Sequence, residues 1–218
     1  MTLDPYRIVA FLHVVLFAYW LGADLGVMLC SRIARRSDLS DDARRAVRSA
    51  GHLIDMGPRT ALVLMVPAGL ILASQYGSPV QGPWLAAIAV AAAGWLWMVW
   101  TIFLQPQTPL GKLLWKIDMG WRIVLMTLFV GFGVKCLITG APIADHWLAA
   151  KFVVFGLILM DGIYLRLVLI RMERDARAGN SPAPGAPPTA LMKSLHIAVM
   201  IIWALVAIAA FLGIVKPF

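Results

Sequence analysis

An all-α bundle of six membrane-spanning helices is the fold this sequence predicts, and three observations predict it. Hydrophobic residues make up 61% of the 218 positions and charged residues only 14%, a balance typical of polytopic membrane proteins. The apolar residues fall into six stretches, each close to the roughly 20 residues that a bilayer requires. The basic residues gather in the loops after alternate stretches. The formal charge of +8 therefore reads as a topology signal and not as a nucleic-acid surface.

Taken in order, the first span covers 6–30. It has neither a basic leader nor a small-residue cleavage site, so it reads as a retained helix and not as a signal peptide. The second covers 57–76, with an amphipathic lead-in from Asp42 and a kink expected at Pro67. An uncharged loop rich in Gly, Pro and Ser, 74–82, leads to the third span, 84–104. The fourth covers 119–140, the fifth 147–170 and the sixth 190–214. Before the sixth lies a flexible loop, 172–189, in which Gly179, Ser181, Pro182, Pro184, Gly185, Pro187 and Pro188 offer no core-forming side chain.

Orientation follows from lysine and arginine. Arg32, Arg35, Arg36, Arg44, Arg45, Arg48 and Arg59 follow the first span. Lys112, Lys116 and Arg122 follow the third, and Arg166, Arg171, Arg174, Arg177 and Lys193 follow the fifth. These are 15 of the 19 basic residues, which makes that side cytoplasmic and puts both termini on the outer, periplasmic side of a bacterial inner membrane. Ile54-Asp55-Met56-Gly57-Pro58-Arg59 is echoed by Ile117-Asp118-Met119-Gly120-Trp121-Arg122. Both read as helix starts, the aspartate capping free N–H groups and the arginine snorkelling to phosphates. The echo reflects either a duplicated helix pair or two similar starts.

Ionisable groups in hydrocarbon are costly and usually face a cavity, a cofactor or a partner. His13 and Asp24, in the first span, lie about three turns and 16 Å apart on one face. His13 and His146 fall in the outer half or at its mouth, His52 and His196 towards the cytoplasmic side. Two histidines at each end suit a pair of haems held by imidazoles, although each histidine also reads as an ordinary interfacial or core residue. Lys151 lies one turn into its span at the depth of His13. It either snorkels or serves as a propionate partner, axial ligand or proton carrier; Lys135, nearer the surface, reads as snorkelling. Asp24 and Asp161 share the cytoplasmic half with Arg59, Arg166 and His196, as ion pairs or as a proton-uptake cluster. Met28 and Cys30 form no copper-binding repeat. Cys30 and Cys136, near opposite ends of their helices, are not expected to pair.

Leu12-His13-Val14 followed by Trp20-Leu21-Gly22 resembles the first helix of the copper-resistance D (CopD) family of bacterial membrane proteins. HemJ-type protoporphyrinogen oxidases have a similar His-then-Trp spacing. Trp147-Leu148-Ala149-Ala150-Lys151-Phe152 resembles the Trp-Leu-x-x-Lys start of a later helix in the same group. Val66-Pro67-Ala68-Gly69-Leu70 is similar to its Thr-Gly-Leu element, with Ala68 in place of threonine. The resemblance implies haem b at His13 and Lys151, or copper entry as the competing activity. The chain is longer than HemJ-type proteins and has a proline-rich loop they lack, which puts protoporphyrinogen oxidation itself in doubt.

The expectation is a membrane haem protein with one or two b haems, passing electrons to or from quinone or across the membrane. His13 and His196 would ligate iron, with Lys151, His52 and His146 as further cofactor contacts, and Asp24 and Asp161 would supply protons. A copper or small-solute path lined by His, Asp and Lys, and an accessory subunit, are the alternatives. Expected partners are membrane lipid, quinone and a second copy or larger membrane complex, with no nucleic acid.

Overall fold

The computed structural model describes residues 4–76, 78–180, 182–183 and 185–217. Its helices are α1 (Pro5–Ile33), α2 (Asp41–Ile54), α3 (Met56–Ala73), α4 (Pro83–Leu104), α5 (Pro109–Thr139), α6 (His146–Arg177) and α7 (Ala190–Val215), with a short 3₁₀ turn at Ser74–Tyr76. No strand occurs among the described residues. Six helical stretches are long and apolar enough to cross a membrane, α2 and α3 counting together as one. An even number of crossings returns both termini to one end of the bundle. The basic loops lie at the other, called the basic end below.

Local chemistry accounts for the helix starts. Asp4, Ser40, Thr108 and Thr189 each accept a hydrogen bond from a first-turn N–H, satisfying donors that have no partner inside the helix. Pro5, Pro83 and Pro109 occupy opening positions where no N–H is needed. The lead-in from Asp42 is a separate helix, α2, polar on one face and joined to α3 at Asp55. Arg44, buried despite its charge, clips it to the connection from α1 by donating to Arg36 O at 3.3 and 3.2 Å, and pairs with Asp41 of its own helix at 2.8 Å.

Large apolar side chains remain exposed around the bundle: Phe11, Val90, Trp84, Ile138 and Ile214 are each 65–79% accessible. On a soluble protein such a girdle would be a liability; here it is the lipid-facing surface. The interior is built from Trp20, Met56, Leu62, Val63, Trp95, Met98, Leu159 and Val206. Apolar attraction does little between helices in lipid, so close packing of small residues carries association. A Cβ on Gly156 would stand 2.5 Å from Val130 Cγ2 and 3.1 Å from Val130 N; one on Gly133 would stand 2.8 Å from Ala149 O. Thus α5 and α6 touch backbone to backbone.

Two expectations need correction. The sequence predicts a flexible loop over 172–189, but α6 continues to Arg177. The connection is 178–189, with Ser181 and Pro184 outside the described residues. It is tied to the α1–α2 connection, with Gly185 N donating to Arg35 O at 2.9 Å and Arg35 Nη2 to Ala186 O at 3.2 Å. The second correction concerns the repeated Asp–Arg segments. α5 starts at Pro109 on the Thr108 cap, nine residues before Asp118, so Asp118 caps nothing. Asp55 stands at the start of α3 but makes no side-chain cap. Each aspartate instead pairs with the arginine one turn on, Asp55 with Arg59 and Asp118 with Arg122. Arg122 does not snorkel; it is 3% exposed.

Candidate functional site

At the end of the bundle that carries the termini, α1, α3, α6 and α7 part around a cavity of about 380 Å³. Its walls are mostly apolar, among them Phe17, Met65, Phe129, Phe155 and Val206. Two basic side chains enter it from the helices, His13 from α1 and Lys151 from α6.

Glycines make room for both. Gly69 on α3 faces the imidazole, and a Cβ there would lie 3.6 Å from His13 Cε1. Gly213 on α7 faces the ammonium, and a Cβ there would lie 2.5 Å from Lys151 Nζ. His13 Nδ1 is buried without a hydrogen-bond partner, and no described carboxylate forms an ion pair with Lys151. A buried polar atom left unmatched costs free energy, so the cavity offers one imidazole and one cation to a guest. Lys216 stands at its rim. It donates to Tyr76 Oη at 2.6 Å and lies 4.7 and 5.1 Å from the Tyr76 and Trp147 ring centres, a cation held against two aromatic faces.

The other candidate residues are dispersed. His146 begins α6, is exposed, and does not join His13 on the cavity wall. His52 is exposed on α2 with its ring 4.8 Å from that of Phe103. His196 Nδ1 lies 2.7 Å from Met192 O, one turn earlier in α7. Among the described residues, no three His, Cys, Asp or Glu side chains cluster to hold a metal ion. Cys30 and Cys136 are both free. Asp24, from α1, has Trp20, Trp203 and Asp55 as its polar neighbours. Asp161 Oδ2 is buried with no partner.

Arg59 and Arg166, expected to serve Asp24 and Asp161, are committed elsewhere. Arg59 pairs with Asp55. Arg166 reaches from α6 to Asp118, a hub absent from the sequence-based candidates. The Asp118 carboxylate is fully buried. It accepts from Trp95 Nε1 at 2.7 Å, from Arg122 Nε at 3.0 Å, and from Arg166 Nη1. The Arg122 guanidinium also lies 5.4 Å from the Trp95 ring centre. One carboxylate thereby joins α4, α5 and α6. The available signal was the four-residue spacing of Asp118 and Arg122 inside a helix; reading a helix start there concealed it.

Compared with known proteins, the chain matches no family model, no curated protein and no solved structure. Its function is therefore argued from the site.

Proposed function

We propose that this multi-pass membrane protein holds a b-type haem in the cavity of His13 and Lys151 and carries electrons to or from a membrane quinone. The observation that carries the reading is the pairing itself: an imidazole with an unmatched nitrogen and an ammonium in no ion pair with a described carboxylate, on separate helices, share one apolar chamber. Pockets of roughly 300–1,000 Å³ with a few convergent polar groups are the usual form of cofactor sites. The donor set fits haem. Neutral imidazole is a good iron ligand, and an apolar surround accommodates a porphyrin.

His13 would supply the axial nitrogen. Lys151 would serve as second ligand or as a counter-charge to a propionate, and Lys216 with Tyr76 would meet a propionate at the rim. When bound, the group supplies one-electron transfer. The chain's own contribution is to exclude water with α1, α3, α6 and α7 and so to set the polarity around the iron. Asp24 and Asp161, deeper in the bundle, would hold protons. The 15 basic residues at the opposite end support a cytoplasmic basic end, with the cavity towards the periplasm of a bacterial inner membrane. The copper reading has less support, since the described residues form no cluster of three metal-ligating side chains.

The test is a dithionite-reduced minus air-oxidised visible spectrum of detergent-purified protein, with haem quantified by pyridine haemochrome. A sharp reduced α-band, one haem per chain and its loss in His13→Ala are expected. Protein that stays colourless after expression with ample haem would refute the proposal.

A further inference from the structure

We infer that the basic end carries a binding site for a phosphate-class anion, built on the Asp118 hub and independent of the His13 cavity. The argument begins with charge. Two guanidiniums, Arg122 and Arg166, share the single carboxylate of Asp118. Their side chains are 4% and 14% exposed and the carboxylate 0%, so water does little to screen the excess. The triad holds one positive charge too many.

Its neighbours do not remove that excess. Arg59, the next cation to both arginines, is matched by Asp55 as a neutral pair. Asp24 of α1 forms an ion pair with none of the described arginines. Trp95 contributes a neutral N–H, which already donates to Asp118.

Hydrogen bonding points the same way. Arg122 Nη2 is buried and donates to nothing, although burying an unsatisfied charged donor is expensive. Arg122 is sealed, but Arg166 and Arg59 keep 14% and 30% exposure, so an anion would approach through these two. A guanidinium presents a planar fork of donors that matches the oxygens of a phosphate. A phosphodiester monoanion also carries the one negative charge that the triad lacks. Asp118 is nine residues into α5, about 14 Å from its start. With Lys112 and Lys116 in the intervening turns, this depth is within reach of a headgroup phosphate and of a free anion from the basic side.

The test is a thermal-unfolding titration of the full chain in neutral detergent. Dioleoylphosphatidylglycerol is one probe, with dioleoylphosphatidylcholine as its zwitterionic control. Inorganic phosphate is the other, against chloride at equal ionic strength. A saturable rise in melting temperature of about 5–10 °C at a hundredfold excess over Kd is expected. A response to phosphatidylglycerol alone assigns the phosphate to lipid; a response to both probes assigns the site to free anions as well. Arg166→Gln leaves Asp118 and Arg122 as a balanced pair and should flatten the titration. Arg166→Lys keeps the charge without the fork and should weaken it. If Arg166→Gln fails to fold, the wild-type titration and Arg166→Lys still decide. No rise above the controls in the wild type, or an undiminished rise in a folded Arg166→Gln, overturns the inference.

Discussion

Asp118→Asn is the most informative single change to this bundle. The substitution keeps the shape of the side chain and one acceptor oxygen, but removes the only negative charge among the described residues that pairs with Arg122 and Arg166. Both guanidiniums would then be buried without a counter-ion, one of them 4% exposed. Removing one partner of a buried ion pair costs about 3–5 kcal/mol. For a chain of this length each kcal/mol lowers the melting temperature by about 2–4 °C, so a fall of about 6–20 °C is expected. The assay is thermal or SDS-induced unfolding of the detergent-purified protein. Asp38→Asn serves as the control: Asp38 lies in the connection between α1 and α2, where the hydrogen bond from Arg36 holds its carboxyl below the ordinary range at an open surface. Screening by water leaves such pairs little influence on stability, and no measurable change is expected. An Asp118→Asn protein melting within 2 °C of wild type would refute the placement of this carboxylate as the link between α4, α5 and α6.

Two further changes test other parts of the structure. Gly156→Ala places a methyl 2.5 Å from Val130 Cγ2 and close to the α5 backbone; overpacking of this kind costs about 1–3 kcal/mol, read as a lowered melting temperature, whereas Gly162→Ala, with nothing within 4 Å of its Cβ, should not lower it, alanine being the better helix former. Gly213→Ala puts a methyl 2.5 Å from Lys151 Nζ, too close for that atom to stay in place. Because that atom is the end of a flexible chain, the fold should persist while haem content falls, as measured by pyridine haemochrome; full haem occupancy in this variant would remove Lys151 from the proposed site.

Much of this molecule was determined by the sequence alone, because lipid imposes a simple rule. Backbone polar groups must be satisfied within each span, so a run of apolar residues near 20 long reads directly as a helix. The six crossings and the common end for both termini follow from that rule. That His13 and Lys151 lie at one depth was likewise legible, and a charged or titratable side chain in an apolar run has few reasons to be there; that both line one cavity is seen only in the fold. Boundaries were less legible. α5 and α6 extend well beyond their apolar cores, where amphipathic turns carry lysine and arginine and hydropathy fades although hydrogen bonding continues.

What only the tertiary structure decided is who meets whom. Asp118 looks in sequence like a helix cap beside a snorkelling arginine. Its burial depends on Trp95 of α4 and Arg166 of α6 arriving at the same point, 23 residues before it and 48 after. His13 and His146 are both predicted towards the outer end, yet of the two only His13 lines the cavity. Depth is set by position along one helix, whereas facing is set by the rotation and packing of several. The close approach at Gly133 and Gly156 orients α5 against α6, and no local spacing in the chain encodes that contact.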